Sequence, residues 1–255
     1  CFADLEFKQW LWDNGAYVYT RNGFPYGGFH RTVLKAQVHT PDWVSNESAK
    51  YTLRVFHSLT FLIPEGMDGG VSTSPLSYKL WFTNQDELNE ARERATKNII
   101  RIIEHLIQIH QSTGKLLHLD IEPEPDGLLE SGTEFIEWFE NDLLTIGIPI
   151  IKLKMNISSH KAEELIKEHL RLCYDVCHFA IGYEDHQATI DLLAEKGIKV
   201  GKIQISAALK ARMDSPEIKI ESIKENFSRF NEPVYLHQVV AKTKSGKLLR
   251  YPDLP

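Results

Sequence analysis

The sequence predicts an α/β protein, and a (β/α)8 barrel in particular, from three observations. Helical and strand patterns alternate along its 255 residues, which implies a parallel sheet with helices outside it, either a barrel or an open doubly wound sheet. No Gly-x-Gly-x-x-Gly follows the first predicted strand, so the usual mark of a dinucleotide-binding open sheet is missing. Polar residues cluster just after strand ends, where such barrels carry their chemistry. We therefore expect a single barrel domain over residues 1–255.

Composition narrows the function classes. Hydrophobic residues make up 42% and charged residues 25% of the chain, which excludes a disordered or fibrous protein. The net charge of −6 argues against a nucleic-acid partner, and no apolar run is long enough to span a membrane. The cysteines are only Cys1, Cys173 and Cys177, as expected in a reducing cytoplasm. We expect a cytoplasmic protein whose partner is a small-molecule metabolite, and the sequence leaves a homo-oligomer open.

Six segments have strand character, because they are rich in β-branched or aromatic residues and are bounded by turn residues. They are Ala16–Arg21, Val71–Thr73, Lys115–Ile121, Leu172–Asp175, Lys199–Ile205 and Val234–Val240.

Six other segments have helical character. The longest carries apolar residues at a spacing of 3.6 and is followed by Gly114, a typical helix end. The predicted helices are Glu47–Leu62, Asn84–Thr113, Ser131–Gly147, Lys161–Arg171, Ala188–Gly197 and Ile223–Phe230.

Acidic residues follow the third predicted strand, in the run Ile121–Pro125. Pro123 restricts the backbone of Glu122 to an extended conformation, which orients its carboxylate. We expect Glu122 at the barrel mouth as a metal ligand and possible catalytic base, with Glu124 beside it for substrate. The alternative is a solvated acidic turn.

Asp175 and His178 lie three residues apart at the end of the fourth predicted strand. A carboxylate and an imidazole at that spacing can ligate one divalent cation or two adjacent ones. The alternative is that Asp175 caps a helix with His178 in its first turn, and both roles can hold together. Cys173 is expected in the core of this strand. The alternative is that Cys173 and Cys177 bind zinc together with His30 or His178, although the sequence has no second cysteine pair.

Two more polar residues interrupt apolar strands. Gln204 alternates with Ile203 and Ile205, and we interpret it as a weak metal ligand or as an amide bonded to a neighbour. His237 lies within the predicted strand Val234–Val240 and needs a polar partner there. We interpret His237 as a metal ligand or an acid/base group, or alternatively as a satisfied core histidine.

Two loops are candidates for the wall of the site. The run Asn22–His30 combines glycines, a proline and aromatic residues, and the run Ser72–Lys79 offers hydroxyls and an amine that suit a phosphate or carboxylate. The alternatives are a packed structural loop and a capped helix start. The predicted substrate-binding residues are Asn22, Phe24, Tyr26, His30, Ser72, Lys79 and Glu124.

Several linked motifs together resemble the family of the metabolite-traffic protein EboE, over nearly the whole chain. They are Asn22–His30, Val38–Trp43, Ser72–Lys79, Ile121–Pro125, Cys173–His178, Gln204–Leu209 and Tyr235–Val239. That family belongs to the xylose-isomerase-like TIM barrels, which include sugar epimerases and isomerases and endonucleases that act on abasic DNA. The resemblance implies one strand before residue 1 and one after residue 255, so we expect the first and last barrel strands to be missing from this sequence.

The resemblance also implies a divalent metal ion, zinc, manganese or magnesium, at the barrel mouth. Glu122 matches the first glutamate of the pattern, and Asp175 and His178 match its Asp-x-x-His element. Gln204 stands where the epimerases have a histidine, and His237 where they have a second glutamate. These departures matter because epimerases move a proton with two carboxylates, although His237 can act as a base.

Three functions follow from these expectations. The first is isomerase- or epimerase-type chemistry through an enediolate on a small sugar-like or polyol metabolite, with Glu122 and His237 as catalytic residues. The second is metabolite binding or trafficking without turnover, of the EboE type. The third is a metal-dependent phosphodiesterase or endonuclease, against which the acidic net charge argues.

Overall fold

Five parallel strands form the central sheet in the part of the chain that the structure describes. The computed structural model describes residues 2–26, 35–213, 220–231 and 236–254. The strands pair in chain order, each with the next. They are β1 (Thr20–Asn22), β2 (Gly69–Thr73), β3 (Leu117–Ile121), β4 (Leu170–Asp175) and β5 (Val200–Gln204).

The sheet is rolled, as in part of a barrel. Lys202 on β5 donates hydrogen bonds to Asn22 on β1 and, over 3.2 Å, to Ser72 on β2. One side chain therefore reaches from one edge strand of the sheet to the other. Together with the parallel strand order, this confirms the predicted α/β barrel architecture.

Helices alternate with these strands. They are α1 (Phe2–Asp13), α2 (Asn46–Leu62), α3 (Gln85–Thr113), α4 (Gly132–Trp138), α5 (Thr145–Met155), α6 (Ser159–His169), α7 (Val176–Ile181), α8 (His186–Glu195) and α9 (Ile220–Ser228). Short 3-10 turns lie at Lys35–His39 and Lys79–Trp81, and a π-helical segment at Phe139–Leu144 joins α4 to α5. In the described parts of the chain, no helix is both long and apolar enough to cross a membrane.

The main core lies between the helices and the outer face of the sheet. Leu117, Leu119 and Ile121 of β3 alternate toward it and are fully buried, as are Ile99 and Ile103 of α3. This is the expected result of a period of two in the strand and 3.6 in the helix.

The inner face of the sheet is polar. His118 and Asp120 are buried there, with His118 Nδ1 and Asp120 Oδ1 2.6 Å apart. Glycines make room for them, since a Cβ on Gly201 would lie 2.0 Å from Asp120 Oδ1 and one on Gly70 would lie 2.3 Å from Asp120 Oδ2. Barrel interiors are more commonly filled by branched apolar residues.

The helix predicted over Ser131–Gly147 is wrong at its end. The helical path continues through the π-helical segment and α5, past Gly147 and Pro149, to Asn156, whose φ of 53° ends it. Gly147 is used for packing rather than for termination, because its Cβ position lies 3.0 Å from Ile166 of α6.

The strand predicted over Val234–Val240 is confirmed only at Val239 and Val240, and its expected place in the parallel sheet is wrong. Residues 236–238 are irregular, and Val239–Lys242 (β6) pairs antiparallel with Leu248–Tyr251 (β7) as a separate two-stranded sheet. Residues 232–235 lie outside the described chain. A local turn through Gly246, with φ of 84°, supplies the partner strand. His237 therefore precedes a hairpin and is not part of the parallel sheet.

Candidate active site

The carboxyl ends of three neighbouring strands bring Glu122, Asp175 and Gln204 together. Glu122 follows β3, and Asp175 and Gln204 are the last residues of β4 and β5. The amide nitrogen of Gln204 lies 2.8 Å from Glu122 Oε1 and 2.9 Å from Asp175 Oδ2, and donates to both. Since parallel strands end on one edge, three separate segments of the sequence build one polar cluster.

The start of α7 adds His178 to this cluster. Asp175 caps the helix, because its Oδ1 accepts from the Cys177 backbone nitrogen at 3.0 Å. His178 Nδ1 donates to the Pro123 carbonyl at 3.1 Å and lies 3.6 Å from Glu122 Oε1. Asp175 therefore caps helix α7 and at the same time lies in the polar cluster with Glu122 and Gln204.

The two carboxyl groups differ in electrostatic environment. Burial raises the pKa of Glu122, and the charge of His178 lowers it only in part. Burial also acts to raise the pKa of Asp175, but His178 and the hydrogen bonds from Ser206, Cys177 and Gln204 outweigh it, so this pKa is lowered. Asp175 is therefore held as an anion, while Glu122 is the carboxyl group that accepts a proton more readily.

Asp175, Cys177 and His178 present ligand atoms that all lie within 4.8 Å of one another. A carboxylate oxygen, a thiol sulfur and an imidazole nitrogen are the ligand types of zinc. Burial raises the pKa of the Cys177 thiol to about 11, and a coordinating cation would favour its thiolate. These residues, with Glu122 beside them, fit a divalent cation.

His237, the other residue that we predicted as a ligand, has a different contact. Its backbone nitrogen donates to Asp253 Oδ1 at 3.0 Å, and its Nδ1 lies 3.5 Å from the same oxygen. The neighbouring Gln238 donates to the Pro125 carbonyl at 3.4 Å. This segment therefore packs on the loop after Glu122, and the catalytic role of His237 stays a prediction.

Glu124 lies beside His39, whose ring packs against other aromatic side chains. The Glu124 side chain is 15% exposed, and its buried Oε1 lies 3.2 Å from His39 Nδ1 without hydrogen-bond alignment. The His39 ring stacks on Tyr78, with centroids 5.0 Å apart, and lies 5.6 Å from the Phe24 ring. Burial lowers the pKa of His39 to about 4 and, with the Glu122 charge, raises that of Glu124 well above its usual value.

The remaining predicted substrate-binding residues lie in separate places. Asn22 and Ser72 lie at the ends of β1 and β2, 3.3 Å apart at Ser72 Oγ and Asn22 Oδ1, and both accept from Lys202. Tyr26 packs edge-on against Tyr51, with centroids 4.6 Å apart.

Lys79 contacts Glu130, which is not one of the cluster residues Glu122 and Asp175. Its Nζ lies 3.0 Å from Glu130 Oε2, so its contact in the structure is an ion pair. His30 lies outside the described residues. The proposed contacts of Lys79 and His30 with a substrate stay predictions.

Sequence reasoning did not select His39, Lys202 or Ser206 as site residues, and it considered Cys177 only within an alternative zinc site. Lys202 could have been found from its spacing, because it lies two residues before Gln204 and so on the same face of β5. Cys177 could also have been found from its position, because it lies between the two predicted ligands Asp175 and His178. His39 and Ser206 carry no such signal, since their contacts connect distant segments.

One comparison with solved structures bears on this fold. A crystal structure of a D-tagatose 3-epimerase-like protein matches 91% of this chain and 73% of its own chain, with a TM-score of 0.50 and 11% sequence identity. At that identity the match supports the fold alone, an α/β TIM barrel. No protein-family model matches the sequence, and no curated protein matches it. The EboE resemblance therefore stays a prediction.

Proposed function

We propose that this protein acts on a small sugar-like metabolite that carries a carbonyl group, by isomerase- or epimerase-type chemistry through an enediolate, with a bound divalent cation. One observation carries the proposal: Glu122, Asp175 and His178 converge at one end of the parallel sheet. The epimerase-like fold supports the same class of reaction.

Asp175, Cys177 and His178 would hold the cation, with Glu122 next to them. When bound, the cation supplies Lewis-acid polarisation of a substrate carbonyl. The sulfur of Cys177 favours zinc over manganese or magnesium.

Glu122 is the proposed base that takes the proton from the carbon next to the carbonyl. Its orientation is constrained because Pro123 follows it and because Gln204 donates to its Oε1. His237 is proposed as the second acid/base group, and the contact of its neighbour Gln238 with the Pro125 carbonyl supports a place near the mouth. Phe24, Tyr26 and Glu124 are proposed to form the wall for the substrate.

Binding or trafficking of a metabolite without turnover, of the EboE type, is the second candidate. The observation that favours it is the amide of Gln204, which already donates to both carboxylates of the cluster. Because these carboxylates already have hydrogen-bond partners, the cluster can be stable without taking part in a reaction.

Hydrogen exchange with solvent separates the two candidates. The protein, with zinc or manganese, is incubated with a panel of ketoses and aldoses in deuterated water, beside Glu122→Gln and the control Glu90→Gln. Glu90 is 71% exposed on α3, so its variant should behave as the wild type. Deuterium incorporation next to the carbonyl that disappears only in Glu122→Gln supports the enzyme.

The same panel is screened for thermal stabilisation. Stabilisation by a compound that takes up no deuterium supports the binding protein, whereas neither effect across the panel contradicts both candidates. Elemental analysis of protein purified without chelator tests the cation separately. We expect about one zinc or manganese per chain, lost in Asp175→Asn.

A further inference from the structure

Gln204 occupies a place that a cation would be expected to take. A cation that bound both Glu122 and Asp175 would lie between their oxygens. In this structure the Gln204 amide nitrogen lies there, at 2.8 and 2.9 Å from Glu122 Oε1 and Asp175 Oδ2. An NH2 group has two hydrogens, and each points to one carboxylate.

The chemistry of the surroundings decides which end of the amide faces inward. The other end is an oxygen, which has no hydrogen to donate and would be repelled by two carboxylate oxygens. The NH2 end carries partial positive charge and makes a charge-assisted hydrogen bond with each carboxylate. The inward nitrogen thus compensates two acidic groups that would otherwise face one another.

We propose that the Gln204 carboxamide is a built-in substitute for the cation between Glu122 and Asp175, and that a divalent cation must displace it to bind both carboxylates. This inference rests on the cation binding proposed above. It changes the role of Gln204 from a metal ligand to a competitor of the metal, and so to the residue that determines how tightly the cluster binds one.

The two roles predict opposite effects of removing the amide. In Gln204→Ala the cation no longer has to break the two hydrogen bonds of the amide. If the net gain equals one charge-assisted hydrogen bond, the dissociation constant of the cation should fall about ten-fold or more. If Gln204 is a ligand through its oxygen, the same variant binds the cation more weakly. Titration calorimetry with zinc and with manganese measures the difference.

A second readout needs no bound cation. In the presence of chelator, Gln204→Ala leaves the two carboxylates uncompensated, so its melting temperature should fall below that of the wild type. Excess zinc or manganese should restore it. Gln204→Met keeps the length of the side chain without the amide and serves if the alanine variant does not fold.

Gln187→Ala is the matched control. Gln187 donates to Asp191 Oδ1 at 2.8 Å on the exposed surface of α8, so its variant removes the same kind of bond away from the cluster. We expect it to leave both the melting temperature in chelator and the cation affinity unchanged.

The results separate this inference from the proposed function. Tighter binding and a cation-restored loss of stability in the Gln204 variants support the inference. Equal or weaker binding by those variants overturns it and leaves the proposed cation site intact. If the wild type and both variants bind neither metal, the cation part of the proposed function fails, and the inference fails with it.

Discussion

Replacing His169 with asparagine tests whether a buried neutral imidazole makes this fold sensitive to acid. His169 ends α6 and is completely buried, and its Nδ1 donates to the Leu117 carbonyl at 2.6 Å. Burial lowers its pKa from the usual 6.5 to about 4. Asparagine can place an N–H near the same carbonyl but does not titrate, so the variant removes the proton site and keeps the donor.

The sign follows from which state binds the proton. Between about pH 6.5 and pH 4 the unfolded chain protonates His169 and the native protein does not, so this contribution to stability is lost as the pH falls. The gap between the two pKa values corresponds to about 3 kcal/mol in total. About 2 kcal/mol of this is lost between pH 7 and pH 5.

The assay is urea denaturation at pH 7 and at pH 5. Other buried groups also make the stability depend on pH, since burial lowers the pKa of His39 and raises those of Asp120 and Glu124. Only the difference between the two proteins therefore isolates His169. The wild type should lose about 2 kcal/mol more than His169→Asn on going from pH 7 to pH 5.

The control is His160→Asn on the same helix, where the side chain is 84% exposed. Its stability should depend on pH as that of the wild type does. If the His169 variant has the same dependence too, the native protein takes up the proton as easily as the unfolded chain. A lowered pKa of His169 in the native state would then be refuted.

Two further substitutions test the packing of the sheet interior and a helix start. Gly201→Ala would place a methyl group 2.0 Å from Asp120 Oδ1 and should lower the free energy of unfolding in urea by about 1–3 kcal/mol. Gly182→Ala, whose Cβ would lie 3.3 Å from Glu184 Oε1 and 3.4 Å from the Phe179 carbonyl oxygen, meets much wider contacts and should lower it less; equal losses would contradict this. Asn84→Ala removes the cap that accepts from the Glu87 backbone nitrogen at 2.9 Å and should cost about 1 kcal/mol. An unchanged melting temperature would contradict that prediction.

The elements predicted best are those whose limits are set by local chemistry. The helix expected over Asn84–Thr113 is α3 at Gln85–Thr113, with Asn84 as its cap and Gly114 in the left-handed region at its end. Both signals lie within one turn of the helix end, so no distant contact is needed to define them. The strand over Lys115–Ile121 is likewise β3, shortened by two residues.

The errors arise where a distant or competing partner decides the structure. A strand pattern specifies which side chains share a face, but not which strand pairs with it. The residues after His237 pair with Leu248–Tyr251 through a nearby turn rather than joining the parallel sheet. Gly147 resembles a helix end in the sequence, but its missing side chain instead admits Ile166 of the next helix.

In the candidate site, too, the sequence predicts the positions of the residues but not every role. Positions at strand ends follow from the alternation of residues along each strand, and this pattern alone predicts that Glu122, Asp175 and Gln204 share one edge of the sheet. The role of the Gln204 amide depends on two carboxylates that are 82 and 29 residues away in sequence. A glutamine offers a donor and an acceptor of nearly equal shape. Only the charge of its neighbours decides which of them faces the cluster, and that choice determines whether Gln204 assists a cation or competes with it.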